Sequence, residues 1–315
     1  MMFAFSANLT RCIKRETARR CGIRVYCVVC RMGCRQPAFL VSTSGACASL
    51  GARPIVCTKR KRESETETNM GKLLTLGSCN AKTVKGEAFG VLTGILHLAP
   101  ERASGFNVCA YAGACVAPCL NTSGRGRPET PLGERIQSAR LRKTARFFSD
   151  RAEFMRDLVR DVAAVERKAK RRGMVPAIRL NGTSDIPWER VAVGAAPNIM
   201  ALFPDVQFYD YTKYPVARRL LLPPNYHLTQ SLDVGHNSER EALTALSIGR
   251  NVAVVFPVAR SGPLPETFTL GASTFPVING DASDLRFTDP VGVIVGLREK
   301  GRAKHDASGF VRAVA

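Results

Sequence analysis

Apolar positions along the chain fall into two regimes that meet near residue 70. Residues 1–69 carry neither a sustained helical nor a strand period, whereas from Met70 onward short apolar runs alternate with helical or polar stretches. Gly90–Leu98 (GVLTGILHL) predicts a first strand, and Glu134–Phe147 and Asp150–Arg172 predict two helices. In the second helix Phe154, Leu158, Val162, Val165 and Ala169 recur at three- and four-residue spacing, the stripe of a helix that buries one face. Ser149 or Asp150 opens it, and Glu153 completes a capping box. Further strands are predicted over Pro176–Leu180, Val206–Tyr211, Tyr226–Ser231, Asn251–Phe256, Phe275–Ile278 and Val291–Leu297. These runs are rich in Val, Ile, Phe and Tyr without clean alternation, as expected of parallel strands covered on both faces.

Polar residues stand just past several strand ends: Asn181–Asp185, Thr212 and Lys213, Ser231 and Asp233, then Asn279 and Asp281. In a parallel barrel the loops after the strand C-termini build the active site, so this recurrence points to one functional rim. The expected fold is therefore α/β, a partial (β/α) barrel over residues 70–315. Residues 1–69 are expected to form a disordered, basic, Cys-rich extension, either a targeting tail or translated upstream sequence. No uncharged apolar run approaches the ~18–20 residues that a bilayer span needs, so no membrane partner is expected.

Composition excludes wholesale disorder, since 45% of the residues are hydrophobic and 23% charged. Charge adds more. The 315 residues hold 46 Lys+Arg against 26 Asp+Glu, a formal +20. Residues 70–315 keep 33 basic and 22 acidic residues, a net +11 that suits an acidic partner such as nucleic acid. Between Glu134 and Arg172 there are 13 basic and 6 acidic residues. They form either a solvated outer face or, through Arg140, Arg142, Lys143 and Arg146, a phosphate-backbone contact.

Eleven cysteines are unevenly placed: seven between Cys12 and Cys57, then Cys79, Cys109, Cys115 and Cys119, with none beyond. A disulfide-stapled domain spreads its bridges through the fold, so this distribution favours a reducing compartment and a local metal or cluster site. Cys27-x2-Cys30-x3-Cys34 lacks a second ligand pair. The loop Asn107–Asn121 (NVCAYAGACVAPCLN) has the spacing C-x5-C-x3-C, with the small residues Ala110, Gly113, Ala114 and Ala117 free to wrap a bulky group. Three thiolates suit a [4Fe–4S] cluster with one open iron. Zinc would need a fourth ligand, for which Cys79 is the candidate. Three buried, merely packed cysteines are the plain alternative. His97 and His305 read as ordinary polar contacts, and His227 and His236 flank a strand-end loop. Asp281, Asp284 and Asp289 with Arg286 form either a polar site or a turn and salt-bridge group.

The chain resembles phage gene product 88 domain proteins from about Gly71 to Phe310. The resemblance rests on Asn107–Asn121, Arg179–Trp188 (RLNGTSDIPW), Gln207–Pro215 (QFYDYTKYP), Gly280–Arg286 (GDASDLR), Gly296–Gly301 (GLREKG) and Gly309–Val311. It is more distantly similar to radical S-adenosylmethionine (SAM) enzymes, which place a three-Cys loop after the first strand of a partial barrel. Their usual C-x3-C-x2-C is here C-x5-C-x3-C, and Asn181-Gly182-Thr183 stands in place of Gly-Gly-Glu. This second resemblance implies a barrel of that type, with Cys109, Cys115 and Cys119 holding a [4Fe–4S] cluster and SAM as cosubstrate. Asn181, Gly182, Thr183, Ser184 and Asp185 would meet the SAM amino group. Thr212-Lys213-Tyr214-Pro215 looks like the Thr-Lys-Arg-Pro stretch of spore photoproduct lyase relatives. Ser231 and Asn237 would lie near the ribose or carboxylate, and Lys213 and Asp281 are the catalytic candidates. It also implies a flavodoxin or ferredoxin as electron donor, a nucleotide or nucleic-acid-linked substrate, and the cytoplasm of a bacterial or phage-infected host cell. The rival expectation is a phage nucleic-acid-binding protein with structural zinc in the Cys loop and no catalysis.

Overall fold

Each strand predicted from Gly90 onward is present in the computed structural model, which describes residues 13–17, 24–28, 38–42, 72–76, 81–235 and 238–313. The chain divides into Met1–Lys61 and Arg62–Ala315, a boundary a few residues before the predicted one. In the first unit β1 (Ile13–Thr17), β2 (Arg24–Val28) and β3 (Ala38–Ser42) form an antiparallel sheet in that order, Ile13 opposite Val28 and Arg24 opposite Ser42. Strands thus stand in a segment whose pattern predicted none. The candidates Cys30, Cys34, Cys79, His236 and Asn237, and the side chain of Cys27, lie outside the described residues.

The second unit is built on a nine-stranded sheet. Its strands are β4 (Leu74–Leu76), β5 (Val91–Leu96), β6 (Val175–Arg179), β7 (Gln207–Thr212), β8 (Tyr226–Ser231), β9 (Val252–Phe256), β10 (Thr267–Leu270), β11 (Ser273–Asn279) and β12 (Ile294–Arg298). The order is β10-β11-β12-β9-β8-β7-β6-β5-β4. From β5 to β11 all neighbours are parallel, while β4 and β10 close the two ends in antiparallel pairing. The end strands β4 and β10 do not pair with each other, so the sheet stays open. Mixed α/β architecture is as expected, with strands β5 to β9 in sequential order.

The helices are α1 (Ala81–Ala88), α2 (Pro131–Ser149), α3 (Arg151–Arg171), the single turn α4 (Ile199–Leu202) and α5 (Ser238–Ser247). Asp150 caps α3 by accepting from the Glu153 amide, 3.2 Å. Thr130 caps α2 by accepting from the Gly133 amide, 3.0 Å, with Pro131 preset at the first helical position. The predicted stripe of α3 is buried to within 1% and shares one core with Leu92, Leu96, Ile178, Phe208 and Leu228. Each of these side chains larger than alanine contributes roughly 1.5–3 kcal/mol through burial. Strand β5 is buried at all six positions, which is why it shows no alternation. No helix among the described residues is long and apolar enough to cross a membrane.

The opposite face of the sheet carries Val91, Thr93, Ala177, Arg179, Tyr209, Tyr211, His227 and Thr229 by register and period two. The segment after β11 folds back across it. Leu285 packs with Val91, Ala177 and Tyr209, and Arg179 donates to Asp284 at 2.9 Å with its guanidinium 4.8 Å from the Tyr211 ring centroid. Gly280 permits this approach: a Cβ there would stand 2.5 Å from Val295 Cγ1. The Asp284, Asp289 and Arg286 group is therefore a buried ionic plug, with Arg286 beside Asp289 at 3.2 Å.

Candidate site at the cysteine loop

The loops that follow β5, β6, β7 and β8 meet at one rim. Val108 O accepts from the Asp185 amide at 2.8 Å, and Cys109 and Asp185 pair as a single parallel bridge. This joins the cysteine loop to the end of β6. Asp185 Oδ2 in turn accepts from the Lys213 amide after β7, 2.8 Å. Asp233 after β8 accepts from the Gly113 amide at 3.3 Å and faces Lys213 Nζ at 3.7 Å. A Cβ on Gly113 would stand 3.0 Å from Val234 O, so glycine lets the cysteine loop approach.

Three thiols, half-buried and free of disulfides, occupy this rim. Burial pushes the Cys109 thiol up to about 12, against a hydrogen bond from the Glu101 amide (3.3 Å) that pulls it down. Asp185, Cys119 and Cys115 add to the rise. Burial also pushes Cys115 up to about 11, opposed by the nearby Lys213, and raises Cys119, opposed by the Asn121 amide, Arg140 and Lys213. Cys109 thus senses the other two thiols, while Cys115 and Cys119 share a lysine. Glu101, whose amide reaches Cys109 Sγ, is the one described non-glycine residue with positive φ, 49°. Among the described residues no three His, Cys, Asp or Glu side chains are grouped closely enough to hold a metal ion. The donors fit a thiophilic centre in kind, being three free thiols on one small-residue loop. They are not yet gathered as ligands, so binding would require the loop to draw in.

The remaining predicted residues divide. Asn181 is 2% exposed, and its polar atoms are spent within the chain. Its Oδ1 accepts from Ser184 Oγ, the Ile186 amide and Trp188 Nε1 at 2.9–3.0 Å, and its Nδ2 donates to Ile186 O at 2.9 Å. Asn181 therefore shapes the loop that was expected to meet SAM. A Cβ on Gly182 would lie 2.6 Å from Leu96 O, and Thr183 Oγ1 donates to Leu98 O at 2.5 Å. Both lock that loop against the end of β5. Thr212 Oγ1 accepts from the Tyr214 amide, 3.0 Å, while Ser231 is half-buried at the end of β8. Asp281 is not brought to the rim. It accepts from the Arg298 amide on β12 at 3.0 Å and pairs with Lys300; burial would raise its carboxyl, but these partners hold it below the usual range.

Of the basic residues offered for phosphate contact, three have internal work. Arg140 donates to Asn121 O at 2.8 Å, Arg146 to Asp157 at 2.6 Å, and Lys143 to Leu73 O at 2.6 Å. Burial lowers Lys143 to about 8 despite nearby Asp161. Arg142 alone of the four is exposed. Spacing does not reveal such tertiary partners.

The family model described as Gene product 88 matches residues 61–313. The chain belongs to the Gene product 88 family. No curated protein and no solved structure gives a significant match. The matched stretch of this Gene product 88 chain takes in the whole rim and the second structural unit.

Pattern reasoning missed several residues here. Arg219 is 1% exposed and binds Glu189 with both Nε (2.9 Å) and Nη2 (2.7 Å), and also lies 3.4 Å from Asp185. It braces the loops after β6 and β7, and one arginine in a basic sequence gives no signal. Two cavities flank the cysteine loop. One, about 190 Å³, is bordered by Asn107, Phe148, Arg151, Pro187 and Tyr214. The other, about 340 Å³, lies between Ala117, Pro118 and the C-terminal stretch Arg302–Ser308.

Proposed function

We propose that this protein is an iron–sulfur enzyme of radical SAM type whose cluster is held by Cys109, Cys115 and Cys119. The observation that carries the reading is the meeting of four successive strand-end loops on three free thiols, two of which share one lysine. The sequential parallel strands β5 to β9 and the placement of the cysteine loop directly after β5 support it further. When bound, a three-thiolate [4Fe–4S] cluster supplies one exchangeable iron and single-electron transfer to a cosubstrate such as SAM.

The chain's own residues then have definite tasks. Lys213 places a cation beside Cys115 and Cys119, offsetting the charge that deprotonated thiols bring to a half-buried loop. Asp185 and Asp233 fix Lys213 and the cysteine loop in register with each other. Phe310 stands 5.0 Å from Lys213 Nζ and packs beside this cation. An electron donor of flavodoxin or ferredoxin type is the partner this chemistry calls for.

Anaerobic purification and reconstitution test the reading. Expected are a brown protein absorbing near 400 nm, iron and sulfide in equal amounts, and SAM cleavage under reducing conditions. Replacing any of the three cysteines by Ala abolishes iron and colour, while Cys79→Ala leaves both. Zinc that requires Cys79, with no sulfide uptake, establishes the structural-metal alternative instead.

A further inference from the structure

An exposed row of rings and guanidinium groups beside the cysteine loop has no task in cluster chemistry. Phe106 and Phe148, 39% and 36% exposed, stack with centroids 4.4 Å apart and planes within 6°. The Arg151 guanidinium lies 3.9 Å from the Phe147 ring centroid and 5.8 Å from that of Phe148. Its hydrogen-bond partner is the Phe147 carbonyl, and no carboxylate among the described residues neutralises it. The row continues through Tyr214 and Tyr111 to the exposed Arg218, whose guanidinium is 5.9 Å from the Tyr111 ring. Tyr111 itself stands between Cys109 and Cys115.

The 190 Å³ cavity opens between Phe148, Arg151 and Tyr214. It is smaller than the ~300–1,000 Å³ of ordinary small-molecule sites, so it admits one flat ring rather than a whole cofactor. Rings with a free face, unpaired guanidinium groups and a net +11 over residues 70–315 favour a polyanion that carries planar groups. Bases in a duplex are already stacked on one another, whereas unpaired bases offer their faces to aromatic side chains.

We propose that this row binds single-stranded nucleic acid. One base enters the cavity, a neighbour stacks on Phe148 and Phe106, and Arg151 and Arg218 hold the flanking phosphates. The proposal names the substrate class of the rim and rests on the preceding reading only in bringing the strand to the cysteines.

Fluorescence anisotropy with labelled 12-nucleotide single-stranded DNA and RNA, a matched duplex and free AMP as competitor tests it on the full chain. Expected is tighter binding of the single strands than of the duplex, with AMP a weak competitor. The double variant Phe106→Ala/Phe148→Ala loses about tenfold or more in affinity. Arg151→Gln/Arg218→Gln keeps the rings and lowers the salt slope by about 1.4, at ~0.7 per phosphate contact in single strands. It also stands in if the ring variant fails to fold. Equal binding of duplex, AMP competing as well as the strands, or a Gln variant with unchanged affinity and salt slope overturns the proposal. Iron and sulfide are measured on the same preparations. Strand binding without iron keeps this proposal and removes the cluster reading, and iron without strand binding does the reverse.

Discussion

The two polar regions of the sheet differ in what faces their charged groups. On the plugged face Arg179 and Asp284 are buried and bonded to each other, and the carboxylates and tyrosines around Arg179 outweigh the burial that alone would lower its pKa. At the cysteine rim the thiols form no disulfide, Lys213 reaches Asp233 only at 3.7 Å, and no carboxylate among the described residues pairs with Arg151. The sequence marked Lys213 and Asp233 as strand-end polar residues, Asp284 as part of either a polar site or a turn and salt-bridge group, and the cysteines as candidate ligands. A buried ion pair closed by the fold serves stability, whereas an exposed cation with no carboxylate beside it is available to a ligand.

That contrast breaks first at Arg179. Arg179→Ala removes a buried partner of Asp284 and should cost about 3–5 kcal/mol in urea unfolding. A loss below about 1 kcal/mol would mean that the plug does not hold the sheet. Next is Asn181→Ala, which leaves Trp188 Nε1, Ser184 Oγ and the Ile186 amide without an acceptor. A loss of about 2–3 kcal/mol is expected, and wild-type stability would return Asn181 to the ligand-binding set.

Asp210 sharpens the comparison through pH. Burial raises its carboxyl to about 7, although the Asn181 amide, Arg179 and Tyr226 pull the other way. The folded chain keeps a proton that the unfolded chain releases near pH 4. The stability from this group is therefore present below about pH 4 and lost as pH climbs through about 7, on the order of 4 kcal/mol. Asp210→Asn should flatten that stretch of the stability–pH curve, and an unchanged slope would assign it to other groups.

At the rim the prediction reverses. Cys115→Ser should change unfolding free energy by less than about 1 kcal/mol while removing metal uptake, because the thiol is only half-buried. A larger loss of stability in the ligand-free protein would make it a core residue. The smallest effect belongs to the outer face of α3. Arg156→Gln with Arg167→Gln should stay within about 0.5 kcal/mol and leave nucleic-acid affinity within about twofold, measured by unfolding and anisotropy.

The sequence by itself determined the second unit's local structure. The α3 stripe, the Asp150 cap and the apolar runs of β5 and β9 are periodic or nearest-neighbour signals, so they are legible one window at a time. It also marked the cysteine loop, whose three thiols share a short stretch of chain. Strands β4 and β10 escaped because three or four residues are too few to show a period, and α5 because only Ala242, Ala245 and Leu246 of its ten residues are buried. Which polar residue does what was decided by contacts across long stretches of chain. Arg179 meets Asp284 from 105 positions away, Lys143 reaches back 70 residues to Leu73, and Gly113 finds Asp233 across 120. Hydrogen bonds and ion pairs act over a few ångströms, and only the folded sheet brings such partners within that range.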